Sequence, residues 1–280
     1  MMPADQNGEK KPVAVRDGEP ELLRLRRAIE VLEEVYGVPK SRGLGPVDIL
    51  VQTILSQNTT SANTHRAFEN LKRRYPDYGP LLAAPDEEVA GLIRCGGLAN
   101  IKTQRIKEAL EKIRERKGGR EIEEVGGRKG EGVLIQVGGE AAGVGDGGVG
   151  DDAAGSADGI DLGFLASLDP QEARDYLLSL PGVGPKTAAV VLLFGFSMPF
   201  IPVDTHVNRL SRRLGFVPEK ATIEEAERVL EAITPPDKRC SFHVNLIRHG
   251  RAVCKARSPL CSGCPLGEIC PYPDREGQKG

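Results

Sequence analysis

The stretch Leu180-Pro-Gly-Val-Gly-Pro-Lys-Thr-Ala-Ala-Val-Val-Leu-Leu-Phe194 reads as a tight Gly-rich hairpin opening onto a helix. Gly182 and Gly184 permit turn geometry that a β-carbon would obstruct, and they leave backbone N–H groups uncovered for a phosphate oxygen. Pro185 suits the first helical position, where no N–H is needed. Ala188 to Phe194 is apolar on all sides, so the helix is expected to be buried, with Lys186 in its first turn. There the helix dipole and desolvation both disfavour an ammonium. A lysine kept neutral is a nucleophile. The plain alternative is a surface lysine after an ordinary helix start.

Outward from this stretch, every periodic segment is helical. Leu22, Leu25, Ile29, Leu32 and Tyr36 share one face of a helix over 21–36. Helices are expected over 47–57, 61–75, 86–94 and 100–116, with Pro76 to Pro85 as a loop. Asp169-Pro170 opens a helix to Ser179, and Asp204 caps one bearing Val207, Leu210 and Leu214. Thr222 with Glu225 forms a capping box for a helix to Ile233. Phe242 to Val253 is the last helix, carrying His243 and His249. No segment alternates like a strand, so the chain is all-α.

Residues 117–160 break the pattern, with fifteen glycines, four Lys/Arg and nine Asp/Glu. Such a composition buries too little apolar surface to offset ordering, so a disordered insertion is expected, with a weak hairpin at Val133-Leu134-Ile135. Met1 to Pro20 is polar, is expected to be a disordered tail and is not a secretory leader. No apolar run approaches the ~20 residues of a membrane span, which points to a cytoplasmic protein without a membrane partner. The insertion carries a net −5 of the chain's −2, leaving +3 for the remainder. Residues 238–267 hold six Lys/Arg and no carboxylate, a local basic face suited to phosphates.

Three smaller features carry candidate chemistry. Ser56-Gln57-Asn58-Thr59-Thr60 is a cluster of uncharged hydrogen-bonding groups; it either caps helices or lets Gln57 meet bases. Leu98 on the Gly96-Gly97 turn is either a hydrophobic staple or an exposed apolar wedge. Cys254, Cys261, Cys264 and Cys270 follow C-x6-C-x2-C-x5-C. Four thiolates so placed can converge on one metal centre. Zinc sites more often use two close pairs across a longer loop, an iron–sulfur cubane also takes four cysteines, and disulfides are the remaining alternative. Cys95 and Cys240 read as ordinary buried residues. Lys255 and Arg257 lie in the loop between the first two cysteines, whose charges a cluster would hold rigidly.

Taken together, Leu180-Pro-Gly-Val-Gly-Pro-Lys-Thr187, Val203-Asp-Thr-His206 and the four cysteines resemble endonuclease III and the wider helix-hairpin-helix DNA glycosylases with a [4Fe–4S] cluster. The resemblance covers residues 21–116 and 160–272. It implies a two-lobed all-α fold: a six-helix barrel over 46–196 with the hairpin, and a second lobe joining the N-terminal helix of 21–45 to 197–280 and the cluster. It implies a monomer acting on double-stranded DNA that holds a damaged or mismatched base, with the nucleotide flipped out of the stack. Lys186 matches the family's Schiff-base lysine and Asp204 its catalytic aspartate. Gln57 and Leu98 match the two residues that fill the gap left by the flipped base, which favours the wedge reading. Gly182, Gly184, His206, Arg209, Lys255 and Arg257 complete the expected DNA contacts, and the four cysteines hold the cluster.

The implied activity is that of a bifunctional glycosylase/AP lyase of base excision repair. Oxidised pyrimidines come first as substrates. Thr60 stands where endonuclease III has an acidic residue, and Ile160-Asp-Leu-Gly-Phe-Leu165 is similar to plant DEMETER-type 5-methylcytosine glycosylases, so mispaired or methylated pyrimidines come second. A non-catalytic DNA-binding module would need the hairpin and the basic helix but not Lys186 and Asp204 together.

Overall fold

The computed structural model describes residues 20–40, 43–119 and 158–272. Regular structure among the described residues is entirely helical, as the periodicity predicts. The expected tail, most of the expected insertion and the Val133–Ile135 hairpin lie outside the described residues. The chain divides into two compact units, Met1–Ser41 with Pro185–Gly280 and Arg42–Gly184.

The unit spanning Arg42–Gly184 contains α2 (Pro46–Leu55), α3 (Ser61–Arg74), α4 (Tyr78–Ala83), α5 (Asp86–Ile93), α6 (Ala99–Gly119) and α7 (Pro170–Leu178). Pro46 starts α2, and Ile49, Leu50, Val51, Ile54 and Leu55 are buried along it. The Thr60 hydroxyl accepts from the Asn63 amide and starts α3. On α6, Ile106, Ala109, Leu110 and Ile113 are buried at helical spacing. Asp169 and Glu172 form a full capping box on α7.

Two expectations are corrected in this unit. The expected loop of 76–85 contains α4, held because Tyr78 is buried with its hydroxyl donating to Asp48 at 2.6 Å. Regular structure also reaches further into 117–160 than composition suggests. Helix α6 continues to Gly119, and Asp158 already accepts the Gly79 amide at 2.6 Å. Just before the insertion, the Arg116 guanidinium lies 3.6 Å from the centre of the Phe164 ring, itself edge-on to Tyr176. The two ends of the glycine-rich segment are thus tied to the packed core.

The other unit joins α1 (Pro20–Tyr36) to α8 (Pro185–Phe196), α9 (Thr205–Arg213), α10 (Ile223–Ile233) and α11 (Arg239–Ala252). Leu25, Ile29 and Leu32 of α1 share a core with Val207, Leu210, Leu230, Phe242, Leu246 and Leu266. Cys254, Cys264 and Cys270 pack against this core. Buried Asn245 donates to the carbonyls of Leu32 and Gly37, tying the C-terminal end of α1 to α11. Helix α11 starts three residues before the expected Phe242, because Arg239 is buried and donates to the carbonyls of Glu231 and Thr234. Cys95 and Cys240 are half-buried rather than buried.

Candidate active site

The hairpin closes with the Val183 amide donating to the Leu180 carbonyl at 3.2 Å. Gly182 has φ +74°, and a β-carbon there would sit 2.8 Å from Cδ of Arg105. Gly184 has no such neighbour, with nothing within 4 Å of an added β-carbon. Only the first glycine is therefore demanded by the turn.

Pro185 opens α8, whose residues Thr187 to Ala189 and Val191 to Leu193 are buried. Lys186 is exposed. The desolvation expected of it is absent, because the apolar run buries the body of the helix and leaves its first turn in solvent. The helix N-terminus remains beside it.

Asp204 precedes α9 in extended backbone, and its Oδ1 accepts the amides of both His206 and Val207 at 2.8 Å. One oxygen thus performs the whole capping task. Oδ2 is left out of those bonds, so the cap and a chemical role coexist on one carboxylate.

His243 lies on α11. It is buried, and its Nδ1 is 2.8 Å from the Pro202 carbonyl oxygen. A carbonyl only accepts, so Nδ1 carries the proton and Nε2 the lone pair. Burial pushes its pKa down to about 4; the Lys186 ammonium acts in the same direction, and the Asp204 carboxylate and the Pro202 carbonyl oppose it. Edge-on Phe194, 5.8 Å away between ring centres, packs its other side.

His206 and Arg209 face inward along α9. Arg209 donates from Nε and Nη2 to the Cys254 carbonyl and from Nη2 to the Gly250 carbonyl, with His206 Nδ1 3.0 Å away. These donors are spent inside the unit, so Arg209 braces the Asp204 helix against the cysteine segment. Burial lowers the pKa of His206.

In the Arg42–Gly184 unit, Gln57 is half-buried, and both ends of its amide are engaged. Its nitrogen donates to the Gly182 carbonyl at 3.2 Å, and its oxygen accepts from Arg105 at 3.0 Å. Leu98 is 51% exposed at φ +51°, a conformation that a leucine adopts only under constraint. Its side chain is not packed away as a staple would be.

The chain matches the model of the HhH-GPD superfamily base excision DNA repair proteins over residues 51–236, and that of the iron-sulfur binding domain of endonuclease III over residues 254–270. It is 32% identical over 234 residues to endonuclease III of Bacillus subtilis, covering 84% of this chain and 83% of that protein. To endonuclease III of Thermotoga maritima it is 30% identical over 233 residues, covering 83% and 86%. The chain belongs to the endonuclease III family.

Members of this family are DNA glycosylases and AP lyases of base excision repair, and this chain is one. Its fold matches a trapped endonuclease III–DNA covalent intermediate with a TM-score of 0.65 at 27% identity, covering 91% of this chain and 98% of that one. A thermostable thymine-DNA glycosylase matches at the same TM-score of 0.65 with 19% identity, a likeness of fold alone.

The cysteines fit the family's [4Fe–4S] cluster. All four thiols are free, and Cys264 and Cys270 have their pKa values raised first by burial and then by the charges of the neighbouring cysteines. Cys254, Cys264 and Cys270 pack against one core. Among the described residues no three His, Cys, Asp or Glu groups converge as they would on a single ion. A [4Fe–4S] cubane takes four cysteine thiolates, which Cys254, Cys261, Cys264 and Cys270 supply. Arg213 secures the segment, with Nη1 at 3.2 Å from Cys254 Sγ and 2.7 Å from the Lys255 carbonyl, and Nη2 at 3.1 Å from that of Ala256. Lys255 and Arg257, beside those carbonyls, are exposed.

Sequence reasoning assigns no role to His243, Arg105, Lys102 or Arg213. Each acts through partners far away in the chain, and no local motif marks such pairings.

Proposed function

We propose that this chain removes oxidised pyrimidines from double-stranded DNA and then cleaves the strand 3′ to the abasic site, with Lys186 as nucleophile and Asp204 as its electrostatic partner. The observation that carries this reading is that Asp204 spends only Oδ1 on capping α9, while Lys186 stands exposed in the first turn of α8. As the glycosidic bond breaks, positive charge develops at C1′, and Oδ2 of Asp204 is the group free to stabilise it. The base departs with the bonding electron pair and takes up a proton; the Lys186 ammonium gives a proton to solvent, and the free amine then adds at C1′. Opening of the sugar ring, with the amine's protons passing to the ring oxygen and to solvent, leaves an imine. The imine acidifies the C2′ proton. Its removal drives β-elimination, in which the C3′–O3′ bond breaks and the 3′ phosphate leaves with the electron pair. Water then hydrolyses the imine and returns the lysine.

His243 contributes by staying neutral and fixed, held to the Pro202 carbonyl just ahead of Asp204. Gln57 and Leu98 are assigned to the gap left by the flipped nucleotide, and the amides of Gly182 and Gly184 to the backbone phosphates. His206 with Arg209, and Lys255 with Arg257, are assigned to the DNA side of the other unit, with Arg209 acting through its brace. The [4Fe–4S] cluster, held by Cys254, Cys261, Cys264 and Cys270, would fix the loop that carries Lys255 and Arg257. The reading makes the chain a monomer acting on chromosomal DNA in the cytoplasm; none of the described helices is long and apolar enough to cross a membrane.

A second substrate class, mispaired or methylated pyrimidines, is favoured by Thr60, whose hydroxyl is spent on capping α3 and presents no carboxylate. Incubation with abasic-site duplex and borohydride tests the chemistry: wild type is expected to form a covalent adduct and Lys186→Ala none. Equal trapping by the variant would overturn the lysine assignment. Excision rates on duplexes bearing thymine glycol, uracil, a T·G mismatch or 5-methylcytosine decide between the substrate classes.

A further inference from the structure

Lys102, near the start of α6, is fully buried, only 1% exposed. Its Nζ donates to two backbone carbonyls, Leu55 at 2.7 Å and Gly96 at 2.8 Å. Leu55 ends α2, and Gly96 ends a short 3-10 turn over Arg94–Gly96. Both carbonyls are C-terminal groups left over by their helices, where partial negative charge accumulates. One ammonium thus neutralises two helix ends and ties them together.

Two residues beyond each carbonyl stands a side chain of interest, Gln57 after Leu55 and Leu98 after Gly96. Both turns pass through the left-handed region: Asn58, a residue that tolerates it, has φ +55°, and Leu98, which does not, has φ +51°. A leucine held there costs on the order of 1 kcal/mol or more and persists only where the surroundings over-determine it. Burial lowers the pKa of Lys102, so its charge is kept at a desolvation cost. An apolar side chain of similar volume would pack there without that cost. What it could not do is hold two chain turns at a set spacing.

We propose that Lys102 is a positioning residue for base flipping: it fixes the spacing of the two turns so that Gln57 and Leu98 enter the vacated stack as a pair. The inference rests on the assignment of Gln57 and Leu98 to that gap. Ordering the turns before DNA arrives removes the cost of ordering them at the moment of insertion.

A single-strand substrate separates this role from a structural one, because a lesion outside a duplex leaves no stack to fill. Single-turnover excision is measured for wild type, Lys102→Met, Leu98→Ala and Gln57→Ala on one lesion in duplex and in single-stranded DNA. Loss of the two buried hydrogen bonds is expected to lower the duplex-to-single-strand rate ratio of Lys102→Met by about tenfold. An unchanged ratio, with both rates lowered alike or neither, overturns the inference. Should Lys102→Met fail to fold, Lys102→Gln, which keeps N–H donors on a shorter stem, is put to the same comparison with the same expected and overturning results. If Leu98→Ala and Gln57→Ala lose duplex rate selectively and the lysine variant does not, only the lysine inference fails. If those two variants show no selective loss, the gap-filling assignment itself fails.

Discussion

The Nδ1 atom of His243 lies 2.8 Å from the carbonyl oxygen of Pro202, two residues before Asp204. That bond holds α11 to the chain just ahead of the capping carboxylate and fixes the tautomer of a buried ring. The pKa of the ring, about 4 in the folded protein, lies below the ordinary 6.5. Between those values the unfolded chain binds a proton that the folded chain refuses. Acid therefore favours unfolding in this window, and stability rises with pH until about 6.5. His243→Asn keeps an N–H for the Pro202 carbonyl and removes the titration. Thermal melts between pH 7 and 4 are expected to show a shallower acid loss for the variant, and an unchanged slope would contradict the assignment.

Asp204 divides its two oxygens between structure and chemistry, which lets the roles be separated. Asparagine caps helices about as well as aspartate, so Asp204→Asn should unfold within a few tenths of a kcal/mol of wild type. Asp204→Ala should lose about 1 kcal/mol with the cap. Both should lose excision rate by roughly 100-fold or more, because both lack the charge that faces the developing cation. Denaturant unfolding and single-turnover excision, measured side by side, check the two halves. A fully active Asp204→Asn would reduce the aspartate to a cap.

How far the sequence is legible depends on how local each signal is. The capping boxes at Asp169–Glu172 and Thr222–Glu225, and the Asp204 cap, are written within four residues, and the helices start where they indicate. Helix α4 is hidden because Gly79 and Pro80 read as turn residues, while its anchor is Asp48, thirty positions away. The apolar run after Lys186 makes it read as buried, though a helix can submerge its body and leave its first turn outside. The cysteine spacing points to a metal centre, yet nothing local in Arg213 marks it as the side chain that holds the segment. His243, Arg105 and Lys102 are invisible for the same reason: their meaning lies in carbonyls and amides 41 to 48 residues distant.

Gly182 and Arg105 are packed so closely that the glycine is required by sterics as well as by its φ of +74°. Gly182→Ala should lose about 1 kcal/mol from the backbone conformation alone. It should lose more because the Arg105 stem has to move, and with it the donor that holds Gln57. Gly182→Ala with Arg105→Ala removes the obstructing stem, so the pair should be less destabilised than the sum of the single variants. Urea unfolding of the four proteins gives the coupling directly. Strict additivity would mean that the arginine yields without cost.

Arg213 offers a way to loosen the cysteine segment without touching a cluster ligand. Its guanidinium bridges Cys254 Sγ and the carbonyls of Lys255 and Ala256, the start of the loop that carries the exposed Lys255 and Arg257. Arg213→Met keeps the stem and its packing but removes all three bonds. With the four cysteines intact, iron content per chain should match wild type. The two loop cations should then meet DNA phosphates from a less ordered loop. Each cation–phosphate pairing that is no longer made weakens binding and reduces its dependence on salt. Affinity for undamaged duplex is therefore expected to fall several-fold, with a shallower slope of log affinity against log salt. Lys255→Ala in the Arg213→Met background should add little if both changes act on the same phosphate pairing. A variant that loses iron while keeping its DNA affinity would reverse the argument, leaving Arg213 to serve the cluster and not the loop.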